Sequence, residues 1–152
     1  QARKPSQKYE HLFAVLPPEL QDTAFLDRVH AYLPGWEIPK IRPENYATGF
    51  GFMTDYLAEI FAEFRRRNFQ THVAAVADFG AMTGRNQDAI KKTCAGMLKL
   101  LHPHLAPGEV EIEYLREILD FAIEMRQRVV SQLSTMTPQE FAGTSYEYRL
   151  PS

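Results

Sequence analysis

Basic side chains are the residues whose type and spacing most directly suggest a ligand, and that ligand is phosphate. They stand in two segments of the sequence: Arg65, Arg66 and Arg67, then Lys91, Lys92 and Lys99. Together they would make a basic face able to meet the phosphates of a nucleic acid. The simpler alternative for residues 65–67 is a solvated helix C-terminus, where cations offset the helix dipole. Taken by composition alone, Arg28 and Arg85 are surface arginines.

A second group of residues has the chemistry of metal ligands. His102 and His104 flank Pro103, and Cys94 lies about two helical turns earlier. Histidines that follow a helix end commonly cap its last carbonyls, however. Cys94 falls on an apolar stripe, where cysteine acts as a small core hydrophobe. We therefore predict no metal site here.

The sequence lacks the common catalytic motifs. It contains no G-x-x-x-x-G-K-[ST] phosphate loop, no H-E-x-x-H, no G-x-S-x-G, and no hydrophobic strand that ends in paired acids. No complete catalytic site can be assembled from the residues alone.

The elements that must position these side chains are helical from about residue 44 onward. Apolar residues recur at helical spacing in residues 56–64, 69–80, 90–101 and 109–133, and Thr83-Gly84, Pro103, Pro107 and Pro138 mark the breaks. Four amphipathic helices joined by modest connections predict a mainly α protein, a compact helical bundle.

The first 43 residues predict an extended region with at most one or two short strands. Residues 12–16 form an apolar run that suits a strand or a buried extended segment, and residues 29–33 alternate as a strand does. Residues 19–28 between them are compatible with a helix, because Pro18 suits a first-turn position.

Length and composition are those of one ordinary globular domain. The 152 residues are 45% hydrophobic and 24% charged, which disfavours a disordered tail or a coiled-coil rod. A net charge of −2 argues against a protein whose main work is coating nucleic acid or anionic lipid. Cys94 is the only cysteine, which favours a reducing compartment. With no apolar run of about 18 residues, we expect a cytoplasmic protein without a membrane partner.

Two long runs of the sequence resemble one protein family. Residues 22–40, DTAFLDRVHAYLPGWEIPK, and residues 83–104, TGRNQDAIKKTCAGMLKLLHPH, resemble characteristic blocks of the Lon-protease-like proteins of the BREX phage-exclusion system, the BrxL family. The resemblance extends over residues 11–146. Members of this family resemble AAA+ ATPases of the MCM helicase type, with a Lon-type domain following.

The resemblance implies a place for this chain within the ATPase module. It would follow the phosphate loop, the Walker B acids and the sensor-1 strand, and it would stop before the Lon-like domain. Residues 1–43 would then be the tail end of the AAA+ core with a finger motif and short strand. Residues 44–141 would be a lid-like helical domain and residues 142–152 an exit linker.

The same resemblance gives two arginines candidate roles at a nucleotide. Residues 24–28, AFLDR, resemble the AAA+ stretch Leu-x-[DS]-Arg-Phe, so Arg28 would be a catalytic arginine finger acting in the neighbouring subunit. Arg85 resembles the sensor-2 arginine, which sits at the start of a lid helix and reaches the γ-phosphate in its own subunit.

Alternatives remain for both arginines. The sensor position could fall one turn later, at Asp88, and Lys91 and Lys92 would then be the nearest cations to the nucleotide. In a purely structural role, Arg28 would pair with Asp27 or Glu19, and Arg85 would pair with Asp88 on its own helix.

The resemblance therefore favours a fragment of an oligomeric, ATP-dependent Lon-like ATPase. ATP and Mg²⁺ would serve the full-length protein, with neither bound tightly by this chain alone. A homo-oligomeric ring is the expected assembly, and DNA or protein the substrate of the whole. The alternative is a free-standing helical adaptor or DNA-binding module that uses the basic face.

Overall fold

The structure, a computed structural model, describes residues 8–151, and helices account for most of them. The helices are α1 (Thr23–Leu26), α2 (Thr54–Arg66), α3 (Gln70–Val76), α4 (Gly84–Leu101), α5 (Ile112–Met136) and α6 (Pro138–Phe141). Among the described residues, the one strand-like pairing is an isolated antiparallel bridge between Asp78 and Arg149. The prediction of a mainly α, compact helical bundle is confirmed.

Helices α4 and α5 form the centre of the bundle. The hydroxyl of Thr83 accepts a hydrogen bond from the Asn86 backbone N–H at 3.4 Å, and this N-cap starts α4 where the sequence breaks. Apolar side chains spaced three and four residues apart on α3, α4 and α5, together with Phe69 just before α3, make the main core. Its helical members include Val73, Ile90, Cys94, Leu98, Leu115, Leu119 and Ala122. The predicted stripe on α5 is therefore buried as expected.

Helix α2 forms as predicted, but its apolar face does not join this core. None of its residues is buried, and Leu57 and Phe61 keep 37% and 43% of their surface exposed. Phe50, Phe52 and Met53, just before the helix, are more exposed still. The buried core thus belongs to α3, α4 and α5, although the periodicity of α2 is equally amphipathic.

Neither of the two N-terminal stretches that were compatible with a short strand forms one, which agrees with the expectation of at most one or two strands. Residues 12–15 are a 3₁₀ turn that buries Phe13, and the Leu12 N–H donates to the Gln132 side-chain oxygen of α5 at 2.8 Å. Residues 29–33 are extended without a partner strand, and the Tyr32 N–H donates to the Met125 carbonyl at 3.2 Å. Because α5 satisfies these backbone groups, no sheet is needed to do so.

The helix expected over residues 19–28 is also shorter than predicted. It divides into a 3₁₀ turn at Pro18–Leu20 and α1 at Thr23–Leu26. The carboxylate of Asp22 accepts the Phe25 N–H at 2.7 Å and so begins a new helix at that point. Leu26 then packs with Phe13, Val129 and Leu133 in a second, smaller core, which docks the N-terminal segment on α5.

The last described residues return to the bundle. Tyr146, Tyr148 and Leu150 pack against the main core, and the Tyr148 hydroxyl donates to Asp120 of α5 at 2.6 Å. Residues 144–150 therefore run along the same helices that carry the candidate site.

Candidate functional site

Arg28 lies two residues after the end of α1 and is exposed to solvent. Its Nη1 donates to the Ala24 carbonyl one turn earlier on the chain. Neither of the ion pairs considered from sequence, with Asp27 or with Glu19, is formed. The charge of the Arg28 guanidinium is therefore not neutralised by a carboxylate at its own segment.

The preceding residue, Asp27, is buried and lies between two arginines that are distant in sequence. Its Oδ2 accepts from Arg85 Nη1 at 2.6 Å, and its Oδ1 accepts from Arg126 Nη2 at 2.5 Å. We refer to Asp27, Arg85, Asn86 and Arg126 as the Asp27 cluster. One carboxylate thus joins the N-terminal segment to both central helices.

Arg85 is the second residue of α4, beside the Thr83 cap. Its side chain is 48% exposed, so it lies at the rim of the Asp27 cluster and can be reached from solvent. The pair with Asp88 that the sequence allowed is absent, because Asp88 instead pairs with Lys92 at 2.6 Å. The positive end of the α4 dipole faces the same region as the Arg85 charge.

Arg126 completes the cluster, and sequence reasoning missed it. The residue is fully buried on α5, at 0% exposure. It occupies the helical stripe between Ala122 and Val129, which are both buried apolar residues. A charged residue at a core position of an otherwise apolar stripe is a signal that the sequence does carry. Its partner Asp27, 99 residues earlier, could not be assigned from that signal.

Burial near the Asp27 cluster shifts the pKa values of two neighbouring side chains, His30 and Tyr146. Desolvation lowers the pKa of His30, Lys92 and Arg126 lower it further, and Asp88 opposes them. Desolvation raises the pKa of Tyr146 to about 12; the charge of Arg126 lowers this pKa, and the charge of Asp27 raises it further. These shifts are those expected beside a water-poor, charged site.

The two adjacent lysines of α4 lie in different surroundings. Lys91 donates to the Gln87 side-chain oxygen at 3.2 Å, and its Nζ lies 5.1 Å from the centre of the Phe79 ring. Lys92 pairs with Asp88, on the side of the helix that influences His30. Neither lysine forms an ion pair or a hydrogen bond with Asp27 or Arg85 among the contacts found in the described residues.

Most of the predicted basic face does converge in space. A surface groove of about 590 Å³ is lined by Arg65, Arg66, Arg67, Lys91 and Lys99. We call it the basic groove. Lys92 is not among its lining residues, and no acidic side chain of the described chain lines it, although Glu63 pairs with Arg66 at 3.0 Å nearby. The groove therefore concentrates positive charge in a chain whose net charge is −2.

The possible metal ligands are not brought together. Cys94 is fully buried in the main core, and burial raises the pKa of its thiol to about 12. The His102 and His104 rings lie 6.2 Å apart, and His102 lies against Tyr114. Over residues 8–151, no three side chains of His, Cys, Asp or Glu converge in a way that could hold a metal ion.

Comparison with known proteins shows the family to which the chain belongs. The family model described as "Lon-like protease BrxL-like, ATPase domain" matches residues 1–147, and the chain belongs to that family. It is 42% identical over 142 residues to the Lon-like protease BrxL of Escherichia coli O9:H4 (strain HS). It is 41% identical over 143 residues to the Lon-like protease BrxL of Bacillus cereus (strain H3081.97).

These alignments cover 93% of this chain but only 20% and 21% of the two relatives. The chain thus spans about a fifth of the length of the curated relatives that it matches. The resemblance inferred from the two sequence runs is confirmed. No helix within residues 8–151 is both long and apolar enough to cross a membrane.

Proposed function

We propose that this part of a BrxL-like ATPase senses nucleotide through Arg28 and Arg85. In this proposal Arg28 acts as the arginine finger on the neighbouring subunit's nucleotide, and Arg85 acts as sensor 2 within its own subunit. The observation that carries the proposal is the 2.6 Å ion pair between Arg85 and Asp27, the residue next to Arg28. This pair connects the N-terminal segment that carries Arg28 (residues 12–32, the finger segment) directly to the first turn of α4.

The two arginines fit a triphosphate chemically. Both are accessible, and a guanidinium stays charged and forks onto two phosphate oxygens at once. Within residues 8–151, Arg28 has no carboxylate partner to leave, and Arg85 has one that is already held by Arg126. ATP with Mg²⁺ would supply the phosphoryl group and the charge that these side chains meet, and the metal would be held by other parts of the full-length protein.

The Asp27 cluster also supports a role in lid motion. Asp27 belongs to the N-terminal segment, whereas Arg85 begins the helix at the centre of the bundle. A phosphate that draws Arg85 away from Asp27 loosens one connection between these parts. Nucleotide binding would then change how the bundle sits on the finger segment, which is the hinge coupling expected of an oligomeric ATPase ring.

This assignment places the protein in the cytoplasm as part of a homo-oligomer. The chain alone would neither hydrolyse ATP nor bind it tightly, because it lacks the phosphate loop and the Walker B acids. The substrate of the whole protein would be DNA or another protein. The relatives' printed name, Lon-like protease, supports the second of these.

The test is ATP hydrolysis by the full-length, assembled protein. Arg28→Ala should lose most turnover while nucleotide affinity stays nearly unchanged, because a finger acts mainly on the transition state. Arg116 is also an exposed arginine but lies on α5, away from the proposed finger. Arg116→Ala is therefore the matched control and should keep full activity. Unchanged turnover in an assembled Arg28→Ala ring would refute the finger assignment.

A second function, nucleic-acid binding, is favoured by the basic groove. Its five cations and the absence of aromatic lining residues suit contact with phosphates rather than stacking of bases. Affinity for a duplex should then fall steeply with salt, and Lys99→Ala should reduce the steepness of that fall. Lys92→Ala, on the same helix but outside the groove, should leave the salt dependence unchanged.

A further inference from the structure

The buried guanidinium of Arg126 contacts the chain on both sides of Arg28. Its Nη1 donates to the Asp27 carbonyl at 3.0 Å and to the Val29 carbonyl at 2.7 Å. Its Nη2 donates to the Asp27 carboxylate. The peptide unit before Arg28 and the one after Val29 are therefore held by one side chain from α5, which limits the directions in which Arg28 can project.

The same guanidinium also contacts the neighbour of Arg85. Its Nε donates at 2.7 Å to the side-chain oxygen of Asn86, which is itself buried. Asp27, which Arg126 holds by its carboxylate, is the partner of Arg85. Arg126 thus reaches the surroundings of both proposed nucleotide-sensing arginines from a single position on α5.

Stability alone does not account for a charge at this place. A buried ion pair loses the hydration of both groups, and replacing both partners together with well-packed apolar side chains is often neutral or stabilising. The neighbours of Arg126 on the α5 stripe, Ala122 and Val129, are apolar, so a charged side chain is the exception at this position. What an apolar side chain cannot do is bind two carbonyls, a carboxylate and an amide at fixed angles.

We propose that Arg126 is a positioning residue for nucleotide hydrolysis, which rests on the function proposed above for Arg28 and Arg85. It fixes the backbone from which Arg28 projects, and it holds the Asp27 carboxylate in place as the partner of Arg85. With no exposed surface in this structure, it acts through these residues and makes no contact with nucleotide itself.

A double-mutant cycle in the full-length, assembled protein tests this role. Arg126→Lys keeps the charge but offers one nitrogen in place of the planar fork, so it cannot satisfy all of these acceptors. We expect Arg126→Lys to lower kcat at least tenfold with KM for ATP changed less than twofold. In an Arg28→Ala background the same substitution should lower kcat by a clearly smaller factor than it does alone, because one of the two arginines through which it acts is already gone.

Single-turnover reactions with radiolabelled ATP can measure the very slow hydrolysis expected of the double mutant, so all four rates of the cycle can be compared. A merely structural residue would give equal fold-losses in both backgrounds, and that result would overturn the proposal. If Arg28→Ala alone leaves kcat unchanged, the finger assignment fails, and with it the basis for the Arg126 proposal. If Arg28→Ala loses most turnover and Arg126→Lys still gives the same fold-loss in both backgrounds, the finger assignment stands and only the positioning role of Arg126 is rejected.

A second cycle keeps the proposal testable if Arg126→Lys does not assemble. Asn86→Ala removes only the acceptor on α4 and leaves the contacts around Arg28 in place. Combined with Arg85→Ala, it should give less than the product of the two separate losses in kcat. Independent, multiplicative losses in that cycle would count against the proposal.

Discussion

The carboxylate of Asp27 lies 2.6 Å from the guanidinium of Arg85, although 58 residues separate them in the chain. The other oxygen of that carboxylate binds Arg126, which is fully buried, whereas Arg85 is about half exposed. The two ion pairs of Asp27 therefore lie in very different dielectric surroundings. They should contribute unequally to stability and to function.

Removing each partner of Asp27 in turn measures this difference. Arg126→Ala leaves a buried carboxylate without its main partner and should lower the free energy of unfolding by about 3–5 kcal/mol. Arg85→Ala removes an ion pair that is screened by solvent and should cost at most about 1 kcal/mol. Urea denaturation of both variants makes the comparison, and equal losses would show that the burial of Arg126 does not matter.

Mixed rings test separately the roles proposed for Arg28 and Arg85 at the nucleotide. A subunit with Arg28→Ala but an intact phosphate site should regain turnover when mixed with a subunit that cannot hydrolyse ATP but carries Arg28. The mutant's own nucleotide then receives a finger from its neighbour. Arg85→Ala should not be rescued in the same mixing experiment, because it acts within its own subunit. ATPase activity against mixing ratio is the measurement, and rescue of both variants alike would contradict the assignment.

The apolar stripe of α5 gives a prediction for stability alone. Leu119 is fully buried in the main core, so Leu119→Ala should reduce the free energy of unfolding by about 2–5 kcal/mol. Leu101→Ala is a matched control at the end of α4, where the side chain is 54% exposed, and it should cost less than about 1 kcal/mol. Chemical denaturation monitored by circular dichroism compares the two variants. A small loss for Leu119→Ala would show that the stripe containing Leu119 does not face the core.

Alkaline pH should destabilise the fold through Cys94. Burial raises the pKa of this thiol from 9.0 to about 12, so the unfolded chain releases its proton at a lower pH than the folded chain does. The stabilisation is complete below about pH 9 and is lost as the pH rises from there toward 12. Burial raises the pKa of Tyr146 and Tyr148 to about 12 as well, which adds to the same trend.

Denaturation midpoints between pH 8 and pH 10.5 test this expectation. Cys94→Ala should flatten the decline with pH, because it removes one group whose pKa differs between the two states. The tyrosines would still contribute, so some decline should remain. A slope identical to that of the unsubstituted chain would show that Cys94 does not titrate on unfolding.

Local spacing was sufficient to predict the long central helices but not their connections to the N-terminal segment. The stripe that includes Leu115, Leu119 and Val129 repeats at helical spacing, and burial on α5 followed from that alone. The residues around Val29 alternate as a strand does, and alternation alone cannot show that a backbone carbonyl will instead bind a side chain on a helix. The partner in this case, Arg126, stands 97 residues later.

The candidate site was predictable only in part for the same reason. Arg28 and Arg85 were singled out because the sequence around each resembles a family motif. Nothing in either motif indicates that Asp27 connects them. Helix α2 shows that helical spacing predicts a helix without predicting burial. Its amphipathic spacing is as regular as that of α4, but no described element covers its apolar face.

Dependence on α5 has a consequence for how the chain matures during its synthesis. The residues from Leu12 to Tyr32 rest on contacts with Met125, Arg126 and Gln132, about a hundred residues further along. At about 5–20 residues per second, the ribosome completes α5 roughly 5–20 s after it has released the finger segment. During that interval Arg28 and Asp27 are in place in the nascent chain without the helix that holds them. The finger segment is thus translated before the helix that holds it, and it can reach its final conformation only after that helix has formed.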